Sequence, residues 1–223
     1  GLPKVLPSYA GLHLQKEIEE LTLLFSPKQP CVAILGGAKF STKLPLISKY
    51  LQTADSVFVG GALANTVLKA KGKEIGASLT DEVTEDIVKV AKNKKIISIT
   101  DVVVIREDKK KTVVADAVEK KDVIADIGPD TIADLVALCK KAKTIIWNGP
   151  LGIYEKGFVG GTKAVLESLA QQKKTHVVIG GGDIVTVVED LGLTDSFAHV
   201  STGGGATLAF LTKGTLPGID ALG

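Results

Sequence analysis

One unit recurs five times along the chain and limits its fold more than any other feature: a short apolar run, a glycine turn, then a helical stretch. Cys31 to Leu35 leads into Gly36-Gly37 and helical apolar spacing over Leu44 to Leu51. Ser56 to Val59 leads into Gly60-Gly61 and a helix-like stretch to Lys71. Thr144 to Trp147 meets Asn148-Gly149-Pro150 and, after a loop, a helix from Thr162 to Gln171. His176 to Ile179 meets Gly180-Gly181-Gly182 and a helix ending near Gly192, and Phe197 to Val200 meets Gly203-Gly204-Gly205 and a helix over Ala206 to Leu211. Continuous apolar runs are the mark of parallel strands buried on both faces. Their alternation with helices predicts an α/β fold, a Rossmann-like parallel sheet with helices on both faces in a three-layer αβα arrangement. Right-handed crossovers bring all five glycine turns to the carboxyl edge of that sheet, where open α/β sheets bind ligands.

Two stretches leave the pattern. Asp101 to Ala117 predicts a small hairpin excursion, with strands Val102 to Ile105 and Thr112 to Val114 around a turn at Glu107-Asp108. Its Lys109-Lys110-Lys111 run is expected to be a solvated tip, as is the Lys92 to Lys95 cluster. Tyr9 to Phe25 carries Leu14, Ile18, Leu21 and Phe25 at helical spacing, a helix with one buried face that precedes the first strand. With 223 residues the chain has room for one large core, and its formal net charge of +2 offers no electrostatic case for nucleic acid. No apolar run reaches the ~18 residues of a membrane span. The two cysteines, Cys31 and Cys139, have neither disulfide-framework nor metal-ligand spacing, so a reduced, cytoplasmic setting is expected. The chain holds no methionine and starts at Gly1, which points to a processed or cut start.

The turns differ in the chemistry they carry. A helix start presents unpaired N–H groups and the positive end of the dipole, and glycine lets an anion approach them. After Gly36-Gly37 come Lys39 and Lys43, four residues apart and on one face if the helix has begun. Positive charge at a helix start opposes the dipole, so the pair is better explained by an anion than by two solvated lysines. Neither the GxxxxGK[ST] phosphate loop nor a GxGxxG dinucleotide turn is present. Asp183, after the Gly180-Gly181-Gly182 run, suits either a Mg²⁺ ligand or an N-cap.

The motifs Val32-Ala-Ile-Leu-Gly-Gly-Ala-Lys39, Gly60-Gly61 with Thr66 to Ala70, Asp126-Ile-Gly-Pro129, Trp147-Asn-Gly-Pro-Leu-Gly152, Gly180-Gly-Gly-Asp183, His199-Val-Ser-Thr-Gly-Gly-Gly-Ala206 and Leu216-Pro-Gly218 stand together in order and spacing. In these the chain resembles the carboxyl-terminal, nucleotide-binding domain of the phosphoglycerate kinase family. The resemblance implies phosphoryl transfer between ATP and 3-phosphoglycerate, with Mg²⁺. By it, Lys39 follows the transferring phosphoryl group, and Gly203, Gly204 and Gly205 form the helix start that faces that group. Lys43 holds the nucleotide α-phosphate, Asn148 contacts the phosphates, and Gly180, Gly181, Gly182 and Asp183 make the turn with the metal ligand. Gly37, Ala38, Gly60 and Gly61 form the adenine slot, Leu151 and Ile153 touch base and sugar, and Glu155 accepts the ribose hydroxyls.

The resemblance also makes residues 1–29 an interdomain connector and 30–223 the nucleotide-binding domain. The family's amino-terminal domain, whose basic patch binds 3-phosphoglycerate, has no counterpart here; the chain's one arginine, Arg106, lies in the hairpin. Ile184 stands where the family has Ser or Thr, which implies a lost hydroxyl at the phosphates, and Ala62 stands where many members have a third glycine. His13, His176 and His199 are expected to be structural. Two functional classes follow: a kinase domain lacking its acceptor site and inactive alone, or a stand-alone nucleotide-binding or interaction module on the same fold.

Overall fold

A computed structural model describes residues 1, 3 and 5–222. The elements run α1 (Leu12–Leu23), β1 (Cys31–Leu35), α2 (Phe40–Thr53), β2 (Ser56–Val59), α3 (Ala62–Ala70), α4 (Glu85–Lys92), β3 (Asp101–Arg106), β4 (Lys109–Val114), β5 (Val123–Ile127), α5 (Pro129–Cys139) and β6 (Thr144–Asn148). They continue with α6 (Gly160–Ala170), β7 (His176–Gly180), α7 (Gly182–Asp190), β8 (His199–Ser201), α8 (Gly205–Lys213) and α9 (Pro217–Asp220). Five strands form one sheet in the order β2-β1-β6-β7-β8, every neighbouring pair parallel. The five expected strands are those five, and each is followed by its glycine turn at the same edge.

Strand alternation explains why the sheet needs both covers. Along β1, Cys31, Ala33 and Leu35 face one layer with Val57, Val59, Ile146 and Val178, against apolar residues of α1, α2, α3, α4 and α8. Val32 and Ile34 face the other way with Phe58, Ile145, Trp147 and Ile179, against α5, α6 and α7. Both sets are buried, so a strand such as Cys31–Leu35 is apolar at every position. The order corresponds to a doubly wound sheet whose winding reverses between β1 and β6.

The hairpin is larger than expected. β3 and β4 pair antiparallel around Glu107 and Asp108, whose φ values of 50° and 59° suit a tight hairpin turn. β5 pairs with the other side of β3, giving a separate three-stranded sheet, β4-β3-β5. Lys109, Lys110 and Lys111 are therefore strand residues rather than a tip, and the Lys110 ammonium lies 4.5 Å from the centre of the Phe158 ring. α1 packs as its apolar pattern predicts at Ile18 and Leu21, with Phe25 just beyond it, and departs from the pattern at Glu17 and Leu14. Glu17 and Leu21 are its buried residues, while Leu14 is exposed. The inward carboxylate is accounted for by its partners, described below.

Candidate functional site

At the β1/β6 reversal the crossovers leave in opposite directions, and a crevice opens beyond the strand ends. Two close backbone approaches shape it. Gly36 N donates to Asn148 O at 2.8 Å, and a Cβ on Gly36 would lie 2.6 Å from the carbonyl carbon of Pro150. Gly61 has φ 62°, donates to Leu151 O at 2.8 Å, and a Cβ there would lie 2.9 Å from Gly37 O. Only glycine permits either approach.

On one side of the crevice lies a cavity of about 370 Å³ reached by Lys39, Lys43, Asn148, Gly181, Gly182 and Asp183. Gly204 and Gly205 close it from the β8–α8 turn. Lys43, in the first turn of α2, is half-buried and turns its ammonium inward to Asn148 Oδ1, with Asn148 O at 3.4 Å. Burial lowers this ammonium to about 8, and the Asp183 carboxylate works against the shift. Asn148 Nδ2 is buried without a partner among the described residues, a costly state that an anion oxygen would relieve. Lys39 is the extended N-cap of α2 (φ −114°) and is exposed. It stands before the helix, so the two lysines share the lining of the cavity and not one helical face. α7 and α8 both begin at this edge, at Gly181 and Gly204, and aim their dipoles into it. Asp183 is the second residue of α7, inside the first turn and exposed, so it is not the N-cap.

The other side is a mostly apolar cavity of about 390 Å³ that shares Gly37, Ala38, Pro150 and Asp183 with the first. Gly61, Leu151, Ile153 and Glu155, the residues expected around base and sugar, line it. Asn65, Leu79, Ala125 and Asp126 line it too, with no role assigned from the sequence. Asp126 had a visible signal in its Asp-Ile-Gly-Pro motif; Leu79 sits in a loop with none. Three expected glycines do not line either cavity. Gly60 gives room to Leu151, Gly180 ends β7 against Thr207, and Gly203 donates to Ser201 Oγ at 3.3 Å. Ile184 is fully buried among the α5–α7 layer, so its side chain faces the core and does not reach the phosphate edge.

The histidines make structural contacts between α1 and the sheet: His199 and His176 face α1, and His13 reaches out from it. His199 Nε2 lies 2.9 Å from Glu17 Oε2, His13 Nε2 lies 3.0 Å from Thr202 Oγ1, and His176 Nε2 lies 3.1 Å from Glu20 Oε2. Thr202 N donates to Glu17 Oε1 at 2.8 Å, tying α1 to the turn that starts α8. Burial pushes the Glu17 carboxyl up, but hydrogen bonds from His199, Thr202 and Ser201 outweigh it and hold the group below its ordinary value. Cys31 and Cys139 are buried, and burial pushes each thiol up to about 12, leaving no reactive thiolate.

The reversal point of this doubly wound α/β domain thus brings together two helix N-termini, an inward lysine and a carboxylate. A family model for phosphoglycerate kinase matches residues 1–214, and the chain belongs to that family. It is 41% identical to the phosphoglycerate kinase of Dictyoglomus turgidum, covering 100% of this chain and 59% of that protein. To the enzyme of Thermus thermophilus it is 40% identical, over 100% of this chain and 60% of that one. Solved structures agree: the enzyme of Coxiella burnetii superposes with a TM-score of 0.85 at 38% identity, over 93% of this chain and 56% of that chain. That of Pyrococcus horikoshii gives 0.86 at 28% identity, over 100% and 59%. The chain thus spans about 59% of the length of the curated relatives it matches.

Proposed function

We propose that this chain is the nucleotide-binding part of a phosphoglycerate kinase, a phosphotransferase with a carboxyl group as acceptor, acting between ATP and 3-phosphoglycerate. The single observation that carries the reading is the inward Lys43 ammonium against Asn148, at an edge where α7 and α8 both begin. Phosphoryl transfer asks for alignment and charge cancellation more than covalent help. In this reading Lys43, Asn148 and the Gly180–Gly182 turn hold the nucleotide phosphates. Lys39 and the Gly203–Gly205 helix start stabilise the phosphoryl group in flight. The nucleoside lies in the apolar cavity, with Gly37, Ala38, Gly61, Leu151 and Ile153 around it, Gly60 making room for Leu151, and Glu155 at the ribose.

Mg²⁺ fits the donor set. It commonly takes one or two carboxylates and completes its shell with water and substrate phosphates. Asp183 offers one exposed carboxylate at the phosphate edge, and no group of three or more His, Cys, Asp or Glu forms a cage among the described residues. When bound, the ion supplies neutralising charge to the phosphates.

The acceptor site belongs to an amino-terminal domain, to which residues 1–29 connect in the whole protein; that protein works in the cytoplasm. Among the described residues no helix is long and apolar enough to cross a membrane. The test is a coupled assay with saturating ATP and 3-phosphoglycerate. The chain alone is expected to give no turnover, and fusion to an amino-terminal phosphoglycerate kinase domain to restore it. Turnover near ~1 s⁻¹ by the chain alone, the low end of ordinary enzymes, contradicts the proposal.

A further inference from the structure

Among the described residues, Asp126 is the one buried carboxylate in the wall of the apolar cavity, and it makes no ion pair there. It lies near the end of β5, 7% exposed. Its Oδ1 accepts from Ile127 N and its Oδ2 from Gly161 N, both at 2.9 Å. Burial pushes its carboxyl up to about 6, while the amides of Gly161, Ile127 and Gly160 pull it down; the Lys110 ammonium acts only from a distance. At neutral pH the group is therefore mainly a buried anion, held by the start of α6. Such a charge is costly to keep where a neutral side chain would serve.

What the anion gathers is the segment between β6 and α6. A Cβ on Gly152 would lie 2.7 Å from Asp126 Cγ, and one on Gly161 would lie 2.7 Å from Oδ1, so both ends of the segment are cut away to admit the carboxylate. Between them, Ile153 N donates to Ala125 O at 2.8 Å, beside Asp126, and Phe158 N donates back to Ile153 O at 3.1 Å. Lys110 covers Phe158 from the hairpin. Leu151, Ile153 and Glu155 all ride on this segment and face the cavity.

We propose that Asp126 is a positioning residue for nucleoside binding: through the Gly161 amide it fixes the 151–160 segment in the shape that presents Ile153 and Glu155 to the sugar. This rests on the nucleotide reading given above. An ordered segment costs the ligand less to bind than one it must order itself.

The test replaces Asp126 with Asn and measures two things on this chain. Calorimetric titration with Mg-ADP is expected to show affinity about tenfold weaker, the cost of reordering one or two side chains. Hydrogen exchange without nucleotide is expected to quicken in peptides covering residues 151–161 and nowhere else, with no loss of melting temperature. If Asp126→Asn does not fold, Asp126→Glu carries the same two expectations, because the longer side chain keeps the charge but not the fit between Gly152 and Gly161. Wild-type binding that the variant matches overturns this proposal alone, as does faster exchange spread over the whole chain. A wild type that takes up no Mg-ADP overturns the nucleotide reading and this proposal with it.

Discussion

Replacing Lys43 with Gln removes the charge that the nucleotide reading depends on, and the size of the effect follows from where the ammonium sits. In the free protein burial holds it at about 8, against the pull of Asp183. A phosphate oxygen in the cavity favours the protonated form, so binding raises that value. Affinity is then full below pH 8 and falls as pH rises through it. Between pH 7 and pH 9 the protonated fraction in the free protein drops from about 0.9 to about 0.1, so the Mg-ADP Kd is expected to rise about tenfold, or ~1.4 kcal/mol. ADP phosphates titrate near ~6 and stay ionised across this range. At pH 7, Lys43→Gln should weaken binding by ~1.5–3 kcal/mol, the worth of a hydrogen bond to a charged group. Its Kd should also become nearly flat with pH. Titration calorimetry at pH 7, 8 and 9 with saturating Mg²⁺ checks both. A flat wild-type profile, or a tenfold rise that survives in Lys43→Gln, refutes the assignment.

Lys39→Ala, assayed with an amino-terminal domain fused before the chain, should lower kcat by ~3–4 kcal/mol, with the Kd for Mg-ADP nearly unchanged, because its partner is charge that develops only during transfer. A loss confined to binding would show the two lysine roles exchanged. Glu17→Gln should destabilise the fold by ~1.5–3 kcal/mol at pH 7. Since the Glu17 carboxyl is held below its ordinary value, that contribution is present above pH ~4.5 and lost as pH falls through the folded value, so urea unfolding near pH 4 should show a smaller difference. Gly36→Ala should cost ~2–3 kcal/mol, or ~5–10 °C in Tm, because a Cβ there meets the backbone of Gly149 and Pro150, which cannot swing away.

How much of this is legible in the sequence depends on the range of the interactions. The strands of the main sheet are visible because burial on both faces makes Cys31–Leu35 and Thr144–Trp147 apolar at nearly every position. Their glycine turns mark the ligand edge for the same local reason. β5 is left unassigned because its apolar run is broken by Asp126, whose burial depends on Gly161, 35 residues away. α4 and α5 are also unassigned, although Thr84 before Glu85-Asp86, and Pro129 at the first position of α5, are helix-start signals. The Lys39–Lys43 spacing misleads because the helix begins one residue later than a shared face requires. The inward turn of Lys43 depends on Asn148, 105 residues on, and only the family resemblance connects them. The apolar face around α1 is legible at Ile18, Leu21 and Phe25, but the inward turn of Glu17 is missed for a similar reason, since it is satisfied by His199 and Thr202 from the far end of the chain.

The most direct test of the central claim is a backbone-amide NMR titration of this chain with Mg-ADP. The account predicts saturable shifts concentrated at the carboxyl edge: the turns at Gly37, Gly61, Asn148–Gly149 and Gly181–Asp183, and the 151–160 segment. β4 and α5, which do not line either cavity, should hold still. Shifts absent at millimolar nucleotide, or centred away from the β1/β6 crevice, contradict it.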